Sequence, residues 1–328
     1  GDVYKRQVEL MPAEGSGCRN YQGPAWYRKH FVLPAETKGK RVVLHFEAAM
    51  GKQILYLNGK RIQEHLGGYL PFTLDLTANG VQAGDSCLLA VFTDNSDDKS
   101  YPPGKRQYTL DFAYHGGTYR DVWMIAKSPV AITDAIDSQI VGGGGVFVHF
   151  DKISEKSAQV YVNTEVQNDD ARSESVTVET TLTDADGKVI KRSSGKLSLK
   201  PGEKKSIRQQ MEVKNPTLWS PDTPYLYRVQ SRIKKGNKSI DGGITRVGIR
   251  LAEFRGKDGF WLNGKPFGQL VGANRHQDFA YVGNALPNSQ QWRDAKRLRD
   301  AGCTIIRVAH YPQDPAFMDA CDELGLFV

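Results

Sequence analysis

No stretch of the 328 residues stays apolar for the ~20 positions that a helix needs to cross a bilayer, so a membrane-spanning helix is excluded. No secretory signal pattern opens the chain either. It begins at Gly1 rather than Met, and so reads as a fragment or a processed product, with Gly1 to Gln7 as candidate non-native residues. Cysteine is scarce. Cys18, Cys87, Cys303 and Cys321 form no C-x-x-C pair, which argues against a zinc site. Cys303, just before an apolar strand, and Cys321, on a helix face, read as small core hydrophobes. The redox compartment stays open. Acidic residues are outnumbered, giving a net charge of +7. The basic residues are dispersed, with short clusters only at Lys38–Arg41 and Lys234–Lys238, and no nucleic-acid signature accompanies them. Nucleic acid and membrane are therefore not expected as partners. With 39% hydrophobic and 25% charged residues the chain is globular, and its length suits two or three domains.

The first part reads as antiparallel β-structure. Val42, Leu44 and Phe46 alternate with Val43, His45 and Glu47, the period of a strand. Ile54–Leu57 runs into Asn58-Gly59, a strong hairpin signal because both turn positions need positive φ. Cys87–Phe92 and Val122–Ala126 fit further strands. Gly67-Gly68 and Pro102-Pro103-Gly104 mark loops. Short strands between Gly and Pro turns indicate a sandwich over residues 1–128. A boundary falls at Lys127 to Pro129. Beyond it Gln159–Val166, Ser175–Thr183, Lys196–Leu199 and Ser206–Val213 are strand-like, with an Asp186-Gly187 turn. Their spacing fits an immunoglobulin-like sandwich over 129–247, read as a spacer with little chemistry.

The pattern changes over 248–328. Phe260–Lys265 is a strand and turn, and Phe267–Ala273 an apolar strand. Ser289–Ala301 is a helix capped by Asn288 or Ser289, with Trp292, Ala295 and Leu298 near one face and Gly302 at its end. Thr304–Ala309 is β-branched. Asp314 caps a second helix whose first residue is Pro315 and whose buried face is Ala316, Phe317, Ala320 and Leu324. Leu326–Val328 begins a third strand. The order β-α-β-α-β with short loops requires parallel strands. No G-x-G-x-x-G follows the first, which argues against a dinucleotide fold and leaves an α/β barrel. Barrel chemistry sits at the C-terminal ends of the strands. Asn274-Arg275-His276 and His310-Tyr311-Pro312 occupy those two places. His276 and His310, with Arg275, Arg307 and Tyr311, are expected to line one rim and to donate hydrogen bonds to hydroxyls or carboxylates.

Three motifs, Gly272-Ala273-Asn274-Arg275-His276-Gln277-Asp278, Arg307-Val308-Ala309-His310-Tyr311-Pro312 and Cys321-Asp322-Glu323-Leu324-Gly325-Leu326, closely resemble glycoside hydrolase family 2, the β-galactosidases, β-glucuronidases and β-mannosidases. Trp26-Tyr27-Arg28-Lys29, Leu57-Asn58-Gly59, Gly67-Gly68-Tyr69-Leu70-Pro71-Phe72 and Gly116-Gly117-Thr118-Tyr119-Arg120-Asp121-Val122 resemble its sugar-binding domain. The resemblance implies a jelly-roll-like sandwich, an immunoglobulin-like sandwich and the start of a (β/α)8 TIM barrel. It implies that Asp111 contacts sugar hydroxyls, that His276 and His310 line the subsite for the terminal sugar, and that Asn274 and Arg275 support that rim. The chain departs from the common pattern at Ala309, where Ser is usual, and at Gln277, where many members carry Glu.

Retaining glycosidases use two carboxylates about 5 Å apart. In this family both are Glu residues on later strands, so they are expected beyond residue 328. Asp278, Asp314, Asp322 and Glu323 offer no internal pair. The expectation is the N-terminal portion of a retaining exo-β-glycosidase, acting foremost on β-galactosides and inactive as an isolated chain. The alternatives are a β-glucuronidase or β-mannosidase of the same family, or a non-catalytic carbohydrate-binding protein. Carbohydrate is the expected partner, and family members are often oligomers. Some require Mg²⁺, for which no complete site is expected here. Localisation is left open between cytoplasm, periplasm and exterior. The third strand should leave an unpaired edge prone to aggregation.

Overall fold

The computed structural model describes residues 21–328 except Asp111, together with the backbone of Arg6–Gln7. Its chain divides into two compact units. The first comprises Gly1–Ala126, Asn274–Ala295 and Arg307–Asp319, and the second Lys127–Ala273, Lys296–Ile306 and Ala320–Val328.

The first unit contains a two-sheet sandwich. One sheet orders Pro24–Val32, Ser86–Asp94, Lys52–Leu57 and Lys60–Leu66, and the other orders Phe72–Asp75, Arg41–Phe46 and Val122–Lys127. Strict alternation along Lys52–Leu57 and Ser86–Asp94 sends Leu55, Leu57, Cys87, Leu89 and Val91 inward. They meet Leu44, Phe46, Phe72 and Leu74 from the facing sheet in one core. Asn58 and Gly59 turn the hairpin with φ of 51° and 81°, and Asn58 Oδ1 accepts from Leu88 N at 2.7 Å. A cavity of about 230 Å³ opens between Tyr27, Phe31, Phe46, Leu89 and Met124; Arg120 and Asp121 line it, and Asn274, Arg275, His276 and His310 do not.

The second unit is built on another sandwich. Ser157–Asn168 pairs with Val130–Ile132, Val146–Asp151 and Lys204–Lys214. The other sheet orders Val189–Leu199, Glu174–Thr183, Tyr227–Lys235 and Lys238–Val247. Val160, Val162, Leu182, Met211, Val213 and Val229 fill the space between. Val130–Ile132, Val146–Asp151 and the hairpin Tyr227–Val247 are strands that the sequence pattern did not single out.

The barrel segment supplies strands Gly272–Arg275 and Ile305–Val308 and helices Asn288–Asp300 and Pro315–Leu324. The bonds Thr304 N→Val271 O and Ala309 N→Arg275 O advance together along both strands, as parallel pairing requires. Three expectations need correction. The apolar run Phe267–Ala273 is not the strand, because Gly268 at φ 88° breaks it, and Phe267 and Leu270 pack beside Trp219, Phe260, Leu262 and Phe327. The first helix does not bury Trp292, which is 39% exposed; it buries Gln290, Gln291 and Ala295. The third strand is reduced to one parallel bridge, Ile305 to Phe327. No helix among the described residues is long and apolar enough to cross a membrane.

Candidate functional site

The strand ends at Arg275 and Val308 deliver the two motifs into the first unit, where they lie together. The His276 and His310 ring centroids are 5.5 Å apart with planes at 72°. Phe112 completes the cluster. Its centroid lies 5.6 Å from each imidazole, stacked on His276 and tilted against His310. His310 is exposed, His276 half-buried, and Asn274 and Arg307 are exposed on their strands. Asp111 lies outside the described residues.

Arg275 stands beside this cluster with its guanidinium turned to the interior. It is 6% exposed and donates to Gln313 (2.7 Å), Gln291 (2.7 Å) and Asp294 (2.8 Å). Its Cζ lies 4.0 Å from the Phe317 ring centroid. Gln313 Nε2 donates back to the Arg275 carbonyl. Every partner belongs to a helix of the barrel segment or to the loop before one. This explains why the first helix turns Gln291 and Asp294 toward it: a buried guanidinium needs acceptors, and that face supplies them, with Gln290 Nε2 donating in turn to Asp294 Oδ1 at 2.8 Å.

Beneath the imidazoles lies a layer of tyrosines. Tyr69 stacks on Tyr311 at 4.3 Å and 6°, and Tyr119 OH donates to Gly68 O at 2.6 Å. A side chain at Gly68 would collide with Met50 Sδ, so the Gly67-Gly68-Tyr69 turn has to be close-packed. Burial raises all three phenols. Tyr119 is pushed up to about 12, and Tyr69 and Tyr311 are raised as well, so all three remain neutral hydrogen-bonding groups.

Arg120 ties these parts together. It is 3% exposed and reaches Tyr69 O (3.2 Å), Gln277 Oε1 (3.0 Å) and Pro312 O (2.6 Å). One sandwich residue thus holds the Gly-Gly-Tyr turn and the loops after both parallel strands. Gln277 Oε1 also accepts from Asp314 N at 3.2 Å. His115 Nδ1 with Asn284 Oδ1 (3.1 Å) and Asn288 Nδ2 with Asp121 Oδ2 (3.1 Å) add two more ties. Sequence reasoning noticed the Gly116–Val122 motif but missed Arg120 as a buried hub. The only available signal was a charged residue in a run of small and aromatic ones.

Two of the carboxylates weighed as catalytic groups are engaged elsewhere. Asp314 Oδ1 caps the second helix by accepting from Ala316 N at 2.9 Å. Glu323 pairs with Arg246. No three His, Cys, Asp or Glu side chains among the described residues are grouped to hold a metal. The described residues offer no carboxylate cluster of the kind that Mg²⁺ takes.

The model for the sugar binding domain of glycosyl hydrolases family 2 matches residues 3–129, the model described as glycosyl hydrolases family 2 matches 144–250, and that for the family's TIM barrel domain matches 254–328. A β-galactosidase of Thermoanaerobacter pseudethanolicus is 35% identical over 94% of the chain and 39% of its own length. A β-glucuronidase of Formosa agariphila is 33% identical over 93% of the chain and 31% of its length. The solved structure of Bacteroides uniformis β-glucuronidase 2, covalently bound to cyclophellitol-6-carboxylate aziridine, aligns with a TM-score of 0.87 at 31% identity, covering 98% of the chain and 37% of that protein. The chain belongs to glycosyl hydrolase family 2, with a sugar-binding sandwich, an immunoglobulin-like sandwich and the start of the TIM barrel. It spans between 31% and 39% of the length of these three relatives.

Proposed function

We propose that the whole protein containing this chain is a retaining exo-β-glycosidase that removes a terminal β-linked sugar, foremost β-galactose, and that this chain supplies part of the recognition surface for that sugar. The observation that carries the reading is the pair His276 and His310, brought to 5.5 Å at the ends of adjacent parallel strands. Imidazole N–H groups at that place suit sugar hydroxyls. Asp111, His276 and His310 are assigned to sugar contact. Asn274 flanks the pocket, and Arg275 supports it from behind. The two carboxylates of a double displacement are assigned to residues outside this chain.

A β-glucuronidase is the second reading, favoured by the Formosa relative and by the aligned Bacteroides structure. Turnover of p-nitrophenyl β-D-galactoside and β-D-glucuronide by the whole protein separates the two. The first reading expects higher kcat/KM on the galactoside, with product released as the β-anomer. Inverted product or no hydrolysis of either compound overturns both. The isolated chain is expected to hydrolyse neither.

A further inference from the structure

Tyr311 OH stands 3.3 Å from Gln277 N and 3.4 Å from His276 Nδ1. A backbone N–H can only donate, so the phenol oxygen accepts from Gln277. The phenol proton then has one acceptor within reach, His276 Nδ1. Tyr311 is buried, and a buried donor without an acceptor is a state that folded chains avoid. Burial also raises the Tyr311 pKa, so the proton is retained through the neutral range.

A neutral imidazole carries a single proton. With Nδ1 accepting, that proton sits on Nε2. Nε2 of the half-buried His276 has no hydrogen-bond partner among the described residues and is not an enclosed atom. The ring plane is held by Phe112, stacked at 22°, and by the His310 ring at 72°.

We propose that Tyr311 is a positioning residue that fixes His276 in its Nε2–H tautomer, so that the ring offers a hydrogen-bond donor to an oxygen of the bound sugar. Sugar recognition here rests on the function proposed above, but the tautomer is a property of the chain without ligand. A donor at this point favours a sugar oxygen with a free lone pair, whether a hydroxyl that donates elsewhere or a carboxylate. Loss of Tyr311 OH would let the ring populate the Nδ1–H form, which turns an acceptor toward the sugar.

The test is a long-range ¹H–¹⁵N correlation spectrum of the full chain labelled with [¹⁵N]histidine, at about pH 8, above the ordinary imidazole range. His276→Gln identifies the signal. The expected result is a pyridine-like Nδ1 and a pyrrole-like Nε2 in the unmodified chain. Tyr311→Phe, which keeps the ring stacked on Tyr69, should move both nitrogens toward averaged shifts while the His149 signal stays in place. An Nδ1–H tautomer in the unmodified chain overturns the proposal even if the variant fails to fold, and so does an unchanged His276 pattern in a folded variant. Methyl β-D-galactoside added to both chains should perturb the Nε2–H signal, with an affinity about fivefold weaker in the variant. A correct tautomer with no response to any β-glycoside would count against the sugar-site reading and leave the role of Tyr311 standing.

Discussion

Arg120→Met is the substitution whose consequence can be worked most fully from the structure. It preserves a long, largely apolar side chain and removes three donated hydrogen bonds, to Tyr69 O, Gln277 Oε1 and Pro312 O. The three acceptors are not equal. Gln277 Oε1 keeps a second donor in Asp314 N, and Pro312 belongs to an exposed position that water can reach. Tyr69 O is the acceptor left buried and bare. One orphaned buried carbonyl costs about 1–3 kcal/mol, and each lost charge-assisted bond about 1.5–3 kcal/mol, without additivity. No carboxylate faces the guanidinium in these bonds, so relief from its own desolvation offsets part of the loss. The net expectation is about 2–4 kcal/mol, borne locally. A single unfolding free energy is poorly defined for a chain of several domains, so native-state hydrogen exchange is the better assay. The amides of Gln277, Ala309 and Asp314 should exchange about 30 to 1,000 times faster in the variant, while those of Ser157–Asn168 stay unchanged. Protection within threefold of the unmodified chain at all three would refute the reading of Arg120 as the hub.

Other outcomes follow from the same structure. Arg275→Met leaves Asp294 without its ion partner and removes the donor to Gln291 and Gln313; melting of the first unit should fall by about 3–5 kcal/mol equivalent in calorimetry, and an unchanged endotherm would contradict this. Gly272→Ala places a methyl group into the Ile305 carbonyl, whereas Gly243→Ala meets nothing within 4 Å; the first should yield little soluble protein and the second should stay within about 0.5 kcal/mol. Asp314→Ala loses the helix cap and should cost about 1–2 kcal/mol by the same calorimetry, with equal stability counting against the cap. Tyr27 and Tyr119 are both pushed up to about 12 by burial from an ordinary value of 10. The unfolded chain loses these protons first, so their contribution is intact below pH 10 and is lost as pH rises through 12. Stability that stays flat between pH 9 and 12 would show that these phenols are not enclosed.

Much of this architecture is legible in the sequence because the signals are local. Asn58-Gly59 dictates a hairpin wherever it sits, and the alternation of Val42, Leu44 and Phe46 with their neighbours fixes an inward face. Asp314-Pro315 marks a helix start through cap chemistry alone. The parallel order and the two histidines at strand ends also follow from chain order. The misread parts depend on partners distant in sequence. Trp292 belongs inward by periodicity, yet Arg275 claims that face through Gln291 and Asp294, and Gln290 bonds to Asp294. Phe267 and Leu270 read as strand, yet they plug a cluster around Trp219. Arg120 is the clearest case. A charged residue reads as surface, and only the assembled chain shows three carbonyl-type oxygens converging on it.

The measurement that bears most directly on the central claim is kcat/KM of the whole protein on p-nitrophenyl β-D-galactoside before and after His276→Ala. The expected result is measurable turnover that falls by about 10²–10³ when the imidazole donor is lost. Turnover unaffected by the substitution would contradict the assignment of these strand ends to sugar recognition.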